Sequence, residues 1–336
     1  MVFFFFRSLT SKTSKIVKNL GRMIFAIAII CLCFLANVVE SSDWPIIAIF
    51  AQPSSKTDGN CGGNCQYLAA SYVKYIESAG ARVVPVDYYA TTAELDELFK
   101  NVNGFFFPGG GSSYPSSAQY IFDKIIAAND AGDFMPLWGT CMGFQWLLIS
   151  AARSTSILDP PSGVMDSYNY SIPLDFTSEA TSSRLFSSAP AEIMNILAKE
   201  NVTMNNHHYG IFPSHFNELD SLKSFYNVLS TNKDRTGVEF ISTIEAYKYP
   251  IYGSQWHPEK NPYEWGKDSS NIPNEAINHS FDAILIAQYA ANFFVNEARK
   301  NNHFYADGDV ENQSLISNYP VTKTSGDFME TYFFNF

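Results

Sequence analysis

The chain has 336 residues, 46% of them hydrophobic and 15% aromatic, enough to bury a large core. Its 33 acidic side chains outnumber 22 basic ones, giving a formal charge of −11. Residues 1–41 carry Arg7, Lys12, Lys15, Lys18 and Arg22 against only Glu40, so the remainder is more acidic still and excludes nucleic acid as a partner.

The N-terminal stretch is basic and free of acid until Glu40, with an apolar run from Met23 to Ala36 followed by Val39-Glu40-Ser41-Ser42. That order predicts a signal peptide over residues 1–41, with Met23 as an internal alternative start. The run is short for a bilayer-spanning helix, which needs roughly 20 residues, so an uncleaved anchor fits less well and no stable membrane association is expected after cleavage. A transit peptide fits less well again, because such peptides are amphipathic. Four glycosylation sequons begin at Asn169, Asn201, Asn278 and Asn312 and agree with a secretory route. Cys31 and Cys33 leave with the leader; Cys61 and Cys65 are spaced for a local disulfide that spacing alone does not prove, and Cys141 is left as the odd thiol.

In chain order, Pro45–Phe50 is an apolar run suited to a strand buried on both faces. A polar loop over 52–64 follows. Leu68, Tyr72, Val73 and Ile76 then fall at helical spacing, predicting a helix from Gln66 to Ala79 that ends at Gly80. Arg82–Val86 is a strand and Thr92–Lys100 a short helix capped by Thr91 or Thr92. Gly104–Phe107 is a third strand running into Pro108-Gly109-Gly110-Gly111, a helix spans about 118–131, and Met135–Trp138 is a fourth strand. This alternation predicts an α/β fold: a doubly wound, mostly parallel central sheet with helices on both faces.

Residues 153–200, rich in Ser, Pro and Thr, predict loops and short strands. Phe225–Leu229, Val238–Ile244 and Ile251–Trp256 read as strands, and Asn278–Lys300 as a long amphipathic helix. No linker or repeat divides residues 42–305, which read as one catalytic domain. Residues 306–336 read as a polar, loosely packed tail.

The segment Gly139-Thr140-Cys141-Met142-Gly143 places glycines two positions either side of a thiol, between a buried strand and a helix. A strand-to-helix turn that tight needs missing side chains at its flanks. It sets the sulfur beside a helix N-terminus, which stabilises a thiolate and offers backbone N–H groups to an oxyanion. A cysteine nucleophile needs a base. In Trp256-His257-Pro258-Glu259, His257 can accept and return the proton, and Glu259 can hold its other nitrogen. A His-x-Glu by itself is an ordinary surface pair; following the elbow, it completes a triad. A glycine run alone is a flexible turn, but at the end of the preceding strand it can supply the Gly110 N–H to an oxyanion hole shared with Met142 N–H.

These three motifs together resemble the class I glutamine amidotransferase-like superfamily, whose core is flavodoxin-like. Within it the match narrows to the γ-glutamyl hydrolases, or folylpoly-γ-glutamate peptidases, on the runs Ala69–Pro85, Gln255–Trp265 and Phe293–Asn302. The resemblance covers about residues 45–304. It implies a hydrolase that takes folylpoly-γ-glutamate as a small-molecule substrate, with the lysosome, vacuole or extracellular space as its location. Cys141 falls on the nucleophile, His257 on the histidine, and Glu259 beside it. Substrate positions fall on Tyr72, Gln145, His207, Tyr209 and Lys260, with the neighbouring His208 able to shift the match at His207 by one. The family often has an acidic residue where Gln145 stands and an indole where Tyr209 stands. No metal or organic cofactor is implied, and a homodimer is left open.

Two rival functions share these residues. A glutaminase subunit would pass ammonia to a synthase, usually in the cytosol, which the leader argues against. A catalytically inactive binding protein on the same fold is argued against by Cys141, His257 and Glu259, although Gln145 keeps it in play.

Overall fold

The computed structural model describes residues 42–54, 65–160, 165–324 and 328–336. The predicted leader and Cys61 lie outside the described residues. The strands, in chain order, are β1 (Ile46–Phe50), β2 (Gln52–Pro53), β3 (Gln66–Ala69), β4 (Arg82–Val86), β5 (Gly104–Phe107), β6 (Leu137–Thr140), β7 (Ser167–Ile172), β8 (Asp175–Phe176), β9 (Thr203–His207), β10 (Tyr226–Lys233), β11 (Glu239–Ala246), β12 (Ile251–Ser254), β13 (Val321–Lys323) and β14 (Glu330–Phe334).

Eight of them form the central sheet, in the order β4-β1-β5-β6-β12-β11-β10-β8. From β4 to β12 every neighbouring pair is parallel. From β12 to β8 every pair is antiparallel. Parallel strands need both faces covered, and β1 shows how its apolar run meets that need. Ile47 and Ile49 face one core, with Val73 and Ile76 of the helix Ala70–Glu77 and Phe294 and Val295 of the helix Phe281–Ala298. Ile46, Ala48 and Phe50 face the other, with Ile121 and Phe122 of the helix Ser116–Asp130 and Trp146 of the helix Met142–Ala152. Helices therefore cover both faces, as the doubly wound reading requires.

Local signals set several boundaries. Thr91 closes a capping box with Glu94 at the start of the helix Thr92–Phe99. The Ser280 hydroxyl accepts from Ala283 N–H at the start of the long C-terminal helix. β10 and β11 run longer than predicted because they pair along seven residue positions, and cross-strand partners are invisible to local pattern.

Two expectations are corrected. The helix predicted from Gln66 begins only at Ala70, because Gln66–Ala69 is β3, paired antiparallel to β2 on one side and β14 on the other. The C-terminal segment is likewise no loose appendage. β14 sits between β13 and β3, with Thr331 and Phe334 buried and Met329 N–H donating to Glu264 Oε2 at 2.7 Å. Apolar residues in the last turn of sequence, Phe328 and Phe334, find their partners some 260 positions upstream, which no local window can read. No helix among the described residues is long and apolar enough to cross a membrane.

Candidate active site

β6 ends at Thr140, and the helix Met142–Ala152 starts immediately after Cys141. Cys141 joins them at φ 54° and ψ −107°, a backbone conformation L residues rarely adopt. It is pinned there by its N–H to Ser254 O at 2.8 Å on β12 and by its carbonyl, which accepts from Gln145 N–H at 3.0 Å. The flanking glycines are required by contact: a Cβ on Gly139 would overlap the Gly143 carbonyl, and one on Gly143 would overlap the Phe107 carbonyl. The thiol is free, buried, and 3.9 Å from the backbone carbonyl of Asn206. Cys65, by contrast, is disulfide-bonded.

His257 follows the end of β12, and its N–H donates to Met204 O of β9 at 2.8 Å. Its Nδ1 lies 2.7 Å from Glu259 Oε1, and both residues are buried. Its buried Nε2 has no hydrogen-bond partner among the described residues. Burial alone would push the imidazole's pKa down; the negative charge of the Cys141 thiolate and of Glu259 outweighs it and holds the ring up to about 10. The imidazole thus favours its protonated form between Cys141 and the buried Glu259.

Pro108-Gly109-Gly110-Gly111 passes in front of this pair. A Cβ on Gly109 would strike the Tyr72 hydroxyl and the His257 ring and crowd Cys141 Cβ, so the loop approaches these side chains as closely as glycine permits. Gly109 N–H is already spent on the Tyr72 hydroxyl at 2.8 Å. Gly110 has φ 155°, and a Cβ there would collide with Gln52, whose amide donates to the Gly109 carbonyl. Gly110 and Met142 both line the cavity beside Cys141. As the first helical residue, Met142 has an N–H with no acceptor one turn back.

The cavity measures about 470 Å³ and is also lined by Gln145, His207, Tyr209, Lys260, Tyr67, Tyr168 and Phe328. Of the residues expected to touch substrate, four therefore converge here and one does not. Tyr72 is wholly buried behind His257, its oxygen 3.3 Å from Nδ1, and is absent from the lining. Burial, then the charges of Glu259 and Cys141, push its phenol well above its ordinary pKa, so it stays neutral. His207, also buried, is pushed down to about 3 by desolvation, with Nδ1 2.9 Å from Tyr209 O; it presents a neutral ring to the cavity. Gln145 donates through Nε2 to Tyr209 O at 2.8 Å, and Tyr209 is 48% exposed at the cavity mouth. Lys260 is buried with its Nζ 2.6 Å from both oxygens of Glu275.

Sequence reasoning passed over Gln52, Asn206, Glu275, Glu264, Tyr67 and Phe328. Asn206 Nδ2 donates to Glu275 Oε1 at 2.7 Å, so the carboxylate ties Lys260 to the residue whose carbonyl faces the thiol. Gln52 lies two residues past Phe50 at the end of β1, the strand end where α/β sites gather, which was the one available signal. Of the sequon residues, Asn201 and Asn312 are exposed. Asn169 and Asn278 are half-buried, with Asn169 Oδ1 accepting from Ala276 N–H and Asn278 Nδ2 donating to Asn201 O at 2.9 Å.

The family model for peptidase C26 matches residues 45–259, spanning β1, the elbow and Glu259. The chain belongs to the peptidase C26 family. Similarity to known proteins extends along most of it. It is 44% identical to gamma-glutamyl hydrolase B of Dictyostelium discoideum, over 89% of this chain and 83% of that one. It is 42% identical to the gamma-glutamyl hydrolase of Homo sapiens, over 88% and 91%. It is 38% identical to that of Rattus norvegicus, over 94% and 99%. As a peptidase C26 protein it is a hydrolase of the cysteine type.

Proposed function

We propose that the protein cleaves the γ-glutamyl amide bonds of folylpoly-γ-glutamates through a thioester intermediate. The observation that carries this reading is the buried Cys141–His257–Glu259 arrangement opening onto a cavity that also holds Gln145, His207, Tyr209 and Lys260. The Cys141 sulfur attacks the γ-carbonyl carbon, and the developing oxyanion is held by Gly110 and Met142 N–H. His257 Nε2, which has no hydrogen-bond partner among the described residues, gives its proton to the departing amine. Water, deprotonated by the same nitrogen, then hydrolyses the thioester and returns the thiolate. Glu259 and Tyr72 hold the ring; no metal or organic cofactor is needed for these steps.

Residues 1–41 act, in this reading, as a leader into the secretory pathway, with lysosome, vacuole or outside as destination. The disulfide at Cys65 agrees with an oxidising route. Asn201 and Asn312 are the sequons best placed for modification.

The test is hydrolysis of a pteroyl-poly-γ-glutamate at mildly acidic and neutral pH by the wild type and by Cys141→Ala. Release of glutamate or glutamyl peptides by the wild type alone is expected. No cleavage by either protein, together with free ammonia from glutamine, would replace this reading with a glutaminase. Equal cleavage by both would remove Cys141 as the nucleophile.

A further inference from the structure

The C-terminal strap, which is β14 (Glu330–Phe334) with Phe328 and Met329 just before it, contributes to the cavity a side chain that the reaction steps above do not use. Phe328 precedes β14, is half-buried, and lines the same cavity as Cys141. Its ring centre lies 6.3 Å from that of Tyr67, which stands on β3 opposite β14. The Tyr67 hydroxyl reaches Gln52 Oε1 at 3.4 Å, linking this aromatic pair to the residue that supports the glycine loop. The Lys260 ammonium sits 5.6 Å from the centre of the Phe328 ring.

Phe328 is held from several sides. Met329 N–H donates to Glu264 Oε2 at 2.7 Å, Glu330 pairs with Lys74, and Thr324 Oγ1 donates to Phe328 O at 2.7 Å. These contacts fix the backbone around Phe328, whose ring packs on the edge of one core and also lines the cavity. The cavity also carries polar groups: the amides of Gln145 and Asn206, the imidazoles of His207 and His208, and the Lys260 ammonium. A glutamyl chain offers carboxylates and short methylene stems, which those polar groups suit. An aromatic wall set among them suits a flat conjugated ring, because ring–ring contact adds stabilisation beyond the area buried.

We infer that Phe328, with Tyr67 beside it, is a specificity-determining residue that packs on the aromatic acyl end of the substrate. The inference rests on the hydrolase reading and adds which part of the substrate the strap recognises. The C-terminal strap selects γ-glutamates that carry a flat ring over those that do not.

The experiment compares a pteroyl-γ-glutamyl peptide with the same γ-glutamyl peptide lacking the pteroyl group. The proteins are the full-length wild type, Phe328→Leu, which keeps apolar bulk, and Phe328→Tyr, which keeps the ring; thermal midpoints establish that all three fold. The expected result is a roughly three- to ten-fold loss of kcat/KM by Phe328→Leu on the pteroyl peptide alone, with Phe328→Tyr close to wild type. Equal loss on both peptides, or no loss on either, would overturn the inference. Calorimetric titration of both peptides into Cys141→Ala and Cys141→Ala/Phe328→Leu gives a readout independent of turnover. If the wild type cleaves neither peptide, the hydrolase reading fails, and the titration still decides the role of Phe328: affinity that depends on the pteroyl group and falls with Leu sustains it, and affinity indifferent to either removes it.

Discussion

The hydroxyl of Tyr72 lies 3.3 Å from Nδ1 of His257, the ring nitrogen that Glu259 Oε1 also meets at 2.7 Å. The same hydroxyl accepts Gly109 N–H at 2.8 Å. One buried side chain therefore couples the orientation of the base to the position of the glycine loop.

Tyr72→Phe leaves the ring's packing and removes both contacts. A buried Gly109 N–H without an acceptor costs about 1–3 kcal/mol, so the thermal midpoint falls. We expect kcat to drop roughly ten-fold as the loop and imidazole lose their common anchor, with KM nearly unchanged because Tyr72 lies outside the cavity. Steady-state kinetics on a γ-glutamyl substrate checks this; a rise in KM alone would restore Tyr72 to a substrate-binding role.

Glu259→Gln keeps a hydrogen-bond acceptor for Nδ1 and removes the charge. Burial then lowers the pKa of His257 against the thiolate alone. In the wild type the raised pKa means the imidazolium's contribution to stability is full below its ordinary value of 6.5 and is lost as pH rises through about 10. In the variant that loss, and the alkaline limb of the kcat profile, both move to lower pH. Activity at mildly acidic pH falls roughly ten- to a hundred-fold, less than in Cys141→Ala. A pH–rate profile measures the shift; an alkaline limb that stays in place would show that Glu259 does not set the base's charge.

Gln145→Glu installs the acid common in the resembling family. Here the amide nitrogen faces two acceptors, Tyr209 O at 2.8 Å and Gln255 Oε1 at 3.4 Å. A carboxylate cannot donate to either, so the Tyr209 carbonyl at the cavity mouth keeps only His207 Nδ1 as a partner and is repelled by Glu unless the acid is protonated. KM is expected to rise about three- to ten-fold at neutral pH and to recover as the pH is lowered. KM measured at two pH values tests this. A fall in KM at neutral pH would mean that substrate, not Tyr209, is the partner that matters at this position.

Glu264 is buried beneath the strap, near Lys260 and Glu259, and desolvation pushes its pKa up to about 6 from 4.5. A raised carboxyl pKa means the folded protein binds the proton more tightly than the unfolded chain. The cost of the buried charge, roughly 2 kcal/mol at most, is therefore present above about pH 6 and relieved as pH falls towards 4.5. Glu264→Gln keeps an acceptor for Met329 N–H without the charge. The variant should melt higher than the wild type at pH 7, with the difference vanishing near pH 4.5. A difference constant with pH would remove Glu264 as its source.

The sequence by itself carried the layered sheet and the thiol. β1 and β5 are short apolar runs, and the alternation of strand and helix as far as β6 follows from periodicity, caps and glycine. The spacing of Gly139, Cys141 and Gly143 announced a turn too tight for side chains at its flanks, and the Gly143–Phe107 approach gives the reason. His257 and Glu259 were legible as a motif two residues apart, but a turn with Glu259 at φ −70° and ψ −22°, not extended chain, brings their side chains together. What only the tertiary structure decided depends on contacts between distant segments. Tyr72 could not be told from a substrate contact until the fold set it behind His257. Lys260 stood only as an implied substrate position, and its buried pairing with Glu275 emerged with the fold. Gln66–Ala69 has helical periodicity, yet it forms β3 because β14 supplies a partner strand from the far end of the chain. Backbone hydrogen bonds within a helix are local and leave a pattern in sequence; strand pairing and buried charge compensation join residues that sequence does not place near one another.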